Sequence, residues 1–121
     1  MNSGIEEIAR AFSGHQFEAA YPYLDDDVTW LVVGGRELTG KESVQAECEE
    51  SASYLAGVTT DFRRFRALVG VDWVVIDSLA EYTDPKGEVS VVASCDIYDF
   101  SDGMIRRIAS YNIALDNPGE T

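Results

Sequence analysis

The sequence predicts an α+β domain in which helices cover one face of a largely antiparallel sheet. Three observations carry this. Apolar residues recur at helical spacing near the start of the chain and again over 41–55, the period changes to two from Val58 onward, and the runs of that second half are joined by very short turns. With 121 residues, 45% of them hydrophobic and 26% charged, the chain is long enough to bury one core and reads as a single domain over 1–121.

Ser3 precedes Ile5, Ile8, Ala9 and Phe12, an apolar stripe at helical spacing, and Glu6 stands three places after Ser3 as in a capping box. This is the first helix, and Gly14 ends it. Phe17, Ala20, Tyr21 and Leu24 make a second, short stripe that Pro22 disturbs near its end. The three acids at 25–27 read as a solvated loop, and Val28 with Trp30, Leu31, Val32 and Val33 as a strand closed by Gly34 and Gly35. After Gly40, Val44, Cys48, Ala52 and Leu55 step by three and four while Glu42, Glu47 and Glu50 take other faces, a third helix stopped by Gly57. Four strands complete the chain at 59–69, 72–83, 88–100 and 104–115. The segments 84–87 and 101–103 read as hairpin turns, so consecutive antiparallel pairing is expected. The tail 116–121, with Pro118 and Gly119, has little to bury and is expected to be mobile.

On the long strands Val75, Leu79, Val89, Val91, Ala93, Cys95 and Ile97 put apolar residues on both parities, which calls for cover on both faces of the sheet. Helices cover one face; a homodimer packed through the outer face would cover the other. Acids outnumber bases 22 to 9, a formal charge of −13, which repels polyanions and argues against a nucleic-acid partner. Residues 1–11 mix Glu6, Glu7 and Arg10 with apolar positions, and no later run has the length of a membrane span, so a cytoplasmic protein without a membrane partner is expected. Cys48 and Cys95 are far apart in apolar settings with no paired-cysteine or Cys/His spacing, and read as two buried reduced thiols.

The phrase Tyr23-Leu24-Asp25-Asp26-Asp27-Val28-Thr29-Trp30, followed ten residues later by Gly40-Lys41-Glu42-Ser43-Val44, and the phrase Asp96-Ile97-Tyr98-Asp99-Phe100-Ser101-Asp102-Gly103-Met104-Ile105 together resemble the nuclear-transport-factor-2-like superfamily and its SnoaL-like branch. The resemblance runs from Ile5 to Leu115. It implies a cone-shaped, cystatin-like roll, often dimeric, with a mixed or antiparallel sheet around three helices and a cavity between them. Members include ketosteroid isomerase, polyketide cyclases, an epoxide hydrolase and non-catalytic modules, so activity has to be argued from the site.

If Asp96 faces the cavity, alternation brings Val92, Ser94, Tyr98 and Phe100 to the same side and turns Cys95, Ile97 and Asp99 outward. A carboxyl among apolar neighbours is pushed toward its neutral form, which suits a group that donates to a carbonyl or exchanges a proton with a ligand. The resemblance places the oxyanion-stabilising aspartate of ketosteroid isomerase at this position, a carboxylic acid kept neutral by its apolar site. The position of that enzyme's general base is Leu31, and its first-helix tyrosine falls on Glu7 or a neighbour, so steroid isomerisation by that route is not expected. Asp96 therefore reads either as a proton-handling group or as a structural carboxyl satisfied by a tyrosine or backbone partner.

The same register turns Ile76, Ser78, Ala80, Ile108, Ser110 and Asn112 inward, and several of these are small, which leaves volume and a few polar points. Trp30, Tyr54 and Phe62 either line that volume or fill it as core. His15, in the turn after the first helix, reads as a surface residue. Alternation sends Arg64 and Arg66 to one face and Arg63 to the other; an inward arginine would reach Asp96, while pairing with surface acids is the default. Three consecutive acids at 25–27 point in different directions and do not make a metal loop, and no nucleophile set, P-loop, dinucleotide fingerprint or zinc spacing is present.

These observations point to a pocket protein without cofactor or metal that takes a small, largely apolar molecule, polyketide, terpenoid or steroid in shape. Any chemistry would be acid/base catalysis of isomerase, cyclase or hydrolase type. Asp96 is the catalytic candidate, and Trp30, Tyr54, Phe62, Ser78, Tyr98, Ser110 and Asn112 are the ligand-binding candidates. The alternative from another class is a non-catalytic dimerisation or protein-interaction module of the same fold, its cavity closed by the three aromatic residues.

Overall fold

A computed structural model describes residues 4–115; Ser3 of the expected capping box and the tail 116–121 lie outside the described residues. The first helix, α1 (Ile5–Ser13), buries Ile8, Ala9, Phe12 and Ser13 along one stripe, and Gly4 takes its N-cap position with no side-chain hydrogen bond. It ends in a Schellman arrangement, in which the His15 N–H donates to the Phe12 carbonyl at 3.2 Å and the Gln16 N–H to the Ala11 carbonyl at 2.8 Å. Gly14 fits here because a Cβ would stand 2.8 Å from the Arg10 carbonyl oxygen. The left-handed residue of the motif is His15, with φ 70°, where glycine is usual and a side chain costs on the order of 1 kcal/mol.

A single turn, α2 (Phe17–Ala20), buries both of its apolar ends, and a 3-10 turn at Tyr21–Tyr23 absorbs Pro22. The six strands are β1 (Leu24–Val32), β2 (Glu37–Thr39), β3 (Thr59–Val69), β4 (Trp73–Thr83), β5 (Val89–Ser101) and β6 (Met104–Leu115), and α3 (Lys41–Leu55) lies between β2 and β3. They form one sheet in the order β2-β1-β6-β5-β4-β3. The expected meander of four antiparallel strands is β3 to β6. β1 joins it parallel to β6, which makes the sheet mixed, and β2 is a three-residue hairpin partner of β1, too short to show a period in sequence.

Two irregularities redirect side chains. Along β1 the partner on β6 moves only from Ile105 to Arg107 while β1 advances from Leu24 to Thr29, so the intervening residues arch out of the ladder. The acids expected as a loop at 25–27 are thus a bulged part of a strand, with Asp26 and Asp27 still exposed. In β3 the register shifts between Phe62 and Arg64, and this bulge reverses the alternation that follows. Phe62 and Phe65, three residues apart, pack edge to face with centroids 5.0 Å apart. Arg63 pairs with Glu81, and Arg64 and Arg66 both pair with Asp77, all from the outer face. The expectation that the arginines divide between the two faces is corrected, and no arginine of β3 reaches Asp96.

The helices cover the inner face, where Ile8, Phe12, Leu24, Val44, Ile76, Tyr98, Ile105 and Ile108 form the core. Helix α3 starts after Gly40, whose φ of 94° suits glycine, and buries only Val44 and Cys48 fully. Ala52, expected on its buried stripe, is exposed, because the second half of α3 stands off the sheet. On the outer face Leu79, Val91 and Ala109 are buried by their own neighbours, whereas Leu68, Tyr111 and Ile113 are exposed, Ile113 by 62%. Cys48 is buried as expected, but Cys95 is partly exposed on this outer face. Among the described residues no helix is long and apolar enough to cross a membrane.

Candidate functional site

Asp96 lies on β5, level with Ile76 of β4 and Ser110 of β6, on the face toward the helices. Placing Ser13 on the buried stripe of α1 sets its hydroxyl over the sheet, where Ser13 Oγ donates to Asp96 Oδ2 at 2.7 Å. The same Oγ is 2.5 Å from the hydroxyl of Tyr98, which is fully buried. With the serine proton directed at the carboxylate, the Tyr98 hydroxyl is the donor to Ser13. On the other side Trp30 Nε1 donates to Ser110 Oγ at 2.9 Å. Indole is only a donor, so the Ser110 hydroxyl proton is left for another acceptor, and Ser110 stands level with Asp96 on the neighbouring strand. One relay, Tyr98 to Ser13, therefore ends on the carboxyl, and the Trp30–Ser110 pair stands beside it. Desolvation by burial raises the Asp96 pKa from its ordinary value, and the two serine hydroxyls pull it part of the way back.

Asp96 opens onto a cavity of about 670 Å³ between the sheet, the α1–α2 turn and the free half of α3. A chain of rings runs round it. Phe12 packs edge to face on Trp30 at 5.1 Å and on Phe17 at 5.3 Å; His15 lies 5.9 Å from Phe17, 5.4 Å from Phe62 and 6.0 Å from Tyr82. Burial lowers the pKa of His15, so the imidazole is held toward its neutral form. Tyr82 is pushed up by burial first and by the neighbouring Asp96 and Tyr54 after it. Glu47, Glu50 and Ser51 of α3 complete the wall. Among the described residues no group of three or more His, Cys, Asp or Glu side chains is placed to hold a metal ion.

Of the residues singled out from sequence, Asp96, Trp30, Tyr54, Phe62, Ser78, Ser110 and Asn112 all line this cavity. Tyr54 does so from the rim, 69% exposed, and Asn112 accepts a hydrogen bond from Ser94 at 2.8 Å. Tyr98 does not reach the lining: it lies behind Ser13, and its hydroxyl serves that residue. Trp30, Tyr54 and Phe62 line the hollow and do not fill it. His15, expected at the surface, is part of the wall, because the left-handed turn after α1 swings its ring between Phe17 and Phe62. Several lining residues were missed, Ser13, Tyr82 and Glu50 among them. Ser13 continues the spacing of Ala9 and Phe12, and Tyr82 is one step beyond Ile76, Ser78 and Ala80 on the inner parity of β4, so both carried a signal in the sequence. Glu50, on the polar side of an amphipathic helix, carried none.

Residues 5–108 match the family profile of the SnoaL-like domain. A nuclear-transport-factor-2-like protein of unknown function from Cytophaga hutchinsonii ATCC 33406 superposes with a TM-score of 0.79 at 29% identity, over 89% of this chain and 95% of that one. A candidate polyketide cyclase from Xanthomonas campestris pv. campestris gives 0.70 at 16% identity, over 88% of this chain and 85% of that one. A candidate isomerase from Rhodopseudomonas palustris gives 0.64 at 16% identity, over 87% and 82%. At the two lower identities the likeness is one of fold. No curated protein matches the chain.

Proposed function

Because the chain belongs to the SnoaL-like domain family, we propose that it is a pocket protein for a small, largely apolar molecule, with Asp96 exchanging a proton with that molecule without help from a cofactor. The observation that carries this is a buried carboxyl held by the Tyr98–Ser13 relay and open to a cavity of about 670 Å³. That volume lies within the range of small-molecule sites, and the ring-lined wall with a few polar points is their usual chemistry. Burial raises the affinity of Asp96 for a proton, and the serine donors hold the carboxylate ready to accept one; the two effects together favour a group that takes a proton and returns it elsewhere on the same ligand. Isomerisation, ring closure and hydrolysis share this step, and the cyclase and isomerase names among the fold relatives agree with it.

Screening a library of polyketide-, terpenoid- and steroid-like compounds by thermal shift, followed by turnover assays on those that bind, tests the reading. Asp96→Asn should abolish turnover and leave the melting temperature nearly unchanged. Full activity in that variant would refute the role.

A second reading is favoured by the outer face, where Tyr111, Ile113 and Leu68 are exposed beside partly buried Val75, Ala93 and Ile97. A second copy packed there would cover them, giving a homodimer whether or not the cavity is catalytic. Light scattering should return twice the chain mass, and Ile113→Asp should return the monomer mass; a monomeric wild type at micromolar concentration removes this reading.

A further inference from the structure

The charge of the cavity wall has one sign. Its lining contains the carboxyls of Glu47, Glu50 and Asp96, with no lysine or arginine among the described residues. Glu47 is held by Arg36 from outside the wall, while Glu50 stands exposed at the rim on the next turn of α3. His15, the one basic ring present, is kept toward neutrality by burial. Between the carboxyls run the faces and edges of Phe12, Phe17, Trp30, Phe62 and Tyr82.

The hydrogen-bond direction adds the decisive constraint. Tyr98 through Ser13 points a proton at Asp96, and the Ser110 hydroxyl, already accepting from Trp30, stands level with it and still has its proton to offer. Its remaining acceptor capacity therefore faces the cavity and calls for a donor from the ligand. We propose, resting on the pocket reading above, that the cavity selects molecules with a protonated amine on an apolar body and rejects carboxylates and phosphates. The ammonium group donates to Asp96, the rings cover its methylene neighbours and attract its charge through their faces, and Glu50 draws it to the mouth. An anion would meet Asp96, Glu50 and negative ring faces with no lysine or arginine among the described lining residues to offset them, since Arg36 is engaged with Glu47. A neutral alcohol can donate to Asp96 but gains nothing from the field.

The test is calorimetric titration of the intact protein with naphthylethylamine, naphthylethanol and naphthylacetate, which share one apolar body. The amine is expected to bind about tenfold tighter than the alcohol, and the carboxylate more weakly than either. Glu50→Gln, an exposed substitution that leaves the fold alone, should weaken the amine about threefold at low salt and leave the alcohol unmoved; Asp96→Asn should remove most of the amine's advantage. If the alcohol or the carboxylate matches the amine, the charge preference is wrong while the pocket reading stands. If the amine leads but neither substitution reduces its lead, the assignment to Asp96 and Glu50 is overturned. If none of the three binds, the pocket reading falls with it.

Discussion

Replacing Ser13 by alanine removes one hydroxyl and strands a second. Tyr98 is fully buried, and among the described residues Ser13 Oγ is the one partner of its hydroxyl. A buried hydroxyl left without a partner costs about 1–3 kcal/mol, more than the net worth of an ordinary hydrogen bond, because desolvation of the stranded group is no longer offset. Ser13→Ala should therefore lower stability by about 2 kcal/mol, or about 8 °C in melting temperature for a chain of this length. Tyr98→Phe removes the group that would be stranded and should cost less, about 1 kcal/mol. In the double variant no hydroxyl is stranded, so a cycle of urea denaturation curves should give a coupling of about 1–2 kcal/mol. A pH dependence follows from Asp96. Its folded-state pKa is raised, so its contribution falls as pH rises from the unfolded value of 3.8 through the folded one. Loss of the Ser13 donor raises it further, and Ser13→Ala should look worse near neutral pH than in acid. Additive single variants, or a Ser13→Ala protein as stable as the wild type, would refute the claim that these three groups form one network.

Other outcomes follow from single features. His15→Gly should raise the melting temperature by a few degrees, since glycine relieves the left-handed turn, yet weaken any cavity ligand because the ring between Phe17 and Phe62 is gone; reduced stability in thermal melts would contradict this. Asp77→Asn should cost about 1 kcal/mol near neutral pH in urea melts, since Arg66 and then Arg64 hold its pKa down. With a lowered folded-state pKa, that stabilisation is present above pH 3.8 and disappears as pH falls through the folded value, so the variant and the wild type should converge in acid. Cys48, buried and pushed up to about 12, should react with Ellman's reagent at pH 8 only when the protein is unfolded, while the partly exposed Cys95 reacts in the native state.

The elements most legible in the sequence were those whose period is long and whose ends are punctuated. β3 and β6 appear with the expected bounds, and β4 and β5 within one residue of them, because alternation over eleven or more residues leaves little choice of phase. What periodicity could not supply was partner choice and phase errors. Nothing in Val28 to Val32 distinguishes a strand that will lie parallel to β6 from one that will end a meander, since that depends on where α3 carries the chain afterwards. The bulge in β3 is equally silent: Phe62-Arg63-Arg64-Phe65 reads as a disrupted alternation, and only the pairing of both Arg64 and Arg66 with Asp77 fixes which residue is extra.

The site follows the same division. Asp96 was singled out by a family resemblance and an assumed parity, and its inner-face neighbours followed from that one phase because β5 holds a regular register with β4 across that level. Its partners come from elements whose direction a strand pattern cannot fix. Ser13 reaches Asp96 only because α1 crosses the sheet at that level, and the contact spans 83 residues of sequence. His15 enters the wall for a related reason. The Schellman turn needs a left-handed residue after Gly14, and with histidine there the strain of that turn holds an imidazole between Phe17 and Phe62. A surface histidine would gain nothing from such a conformation, whereas a ring that completes the belt around the cavity gives the strain a use. The helix end, which looked like punctuation, is therefore the part of α1 that joins the fold to the site: one residue before its glycine supplies the donor to the carboxyl, and one residue after supplies the wall.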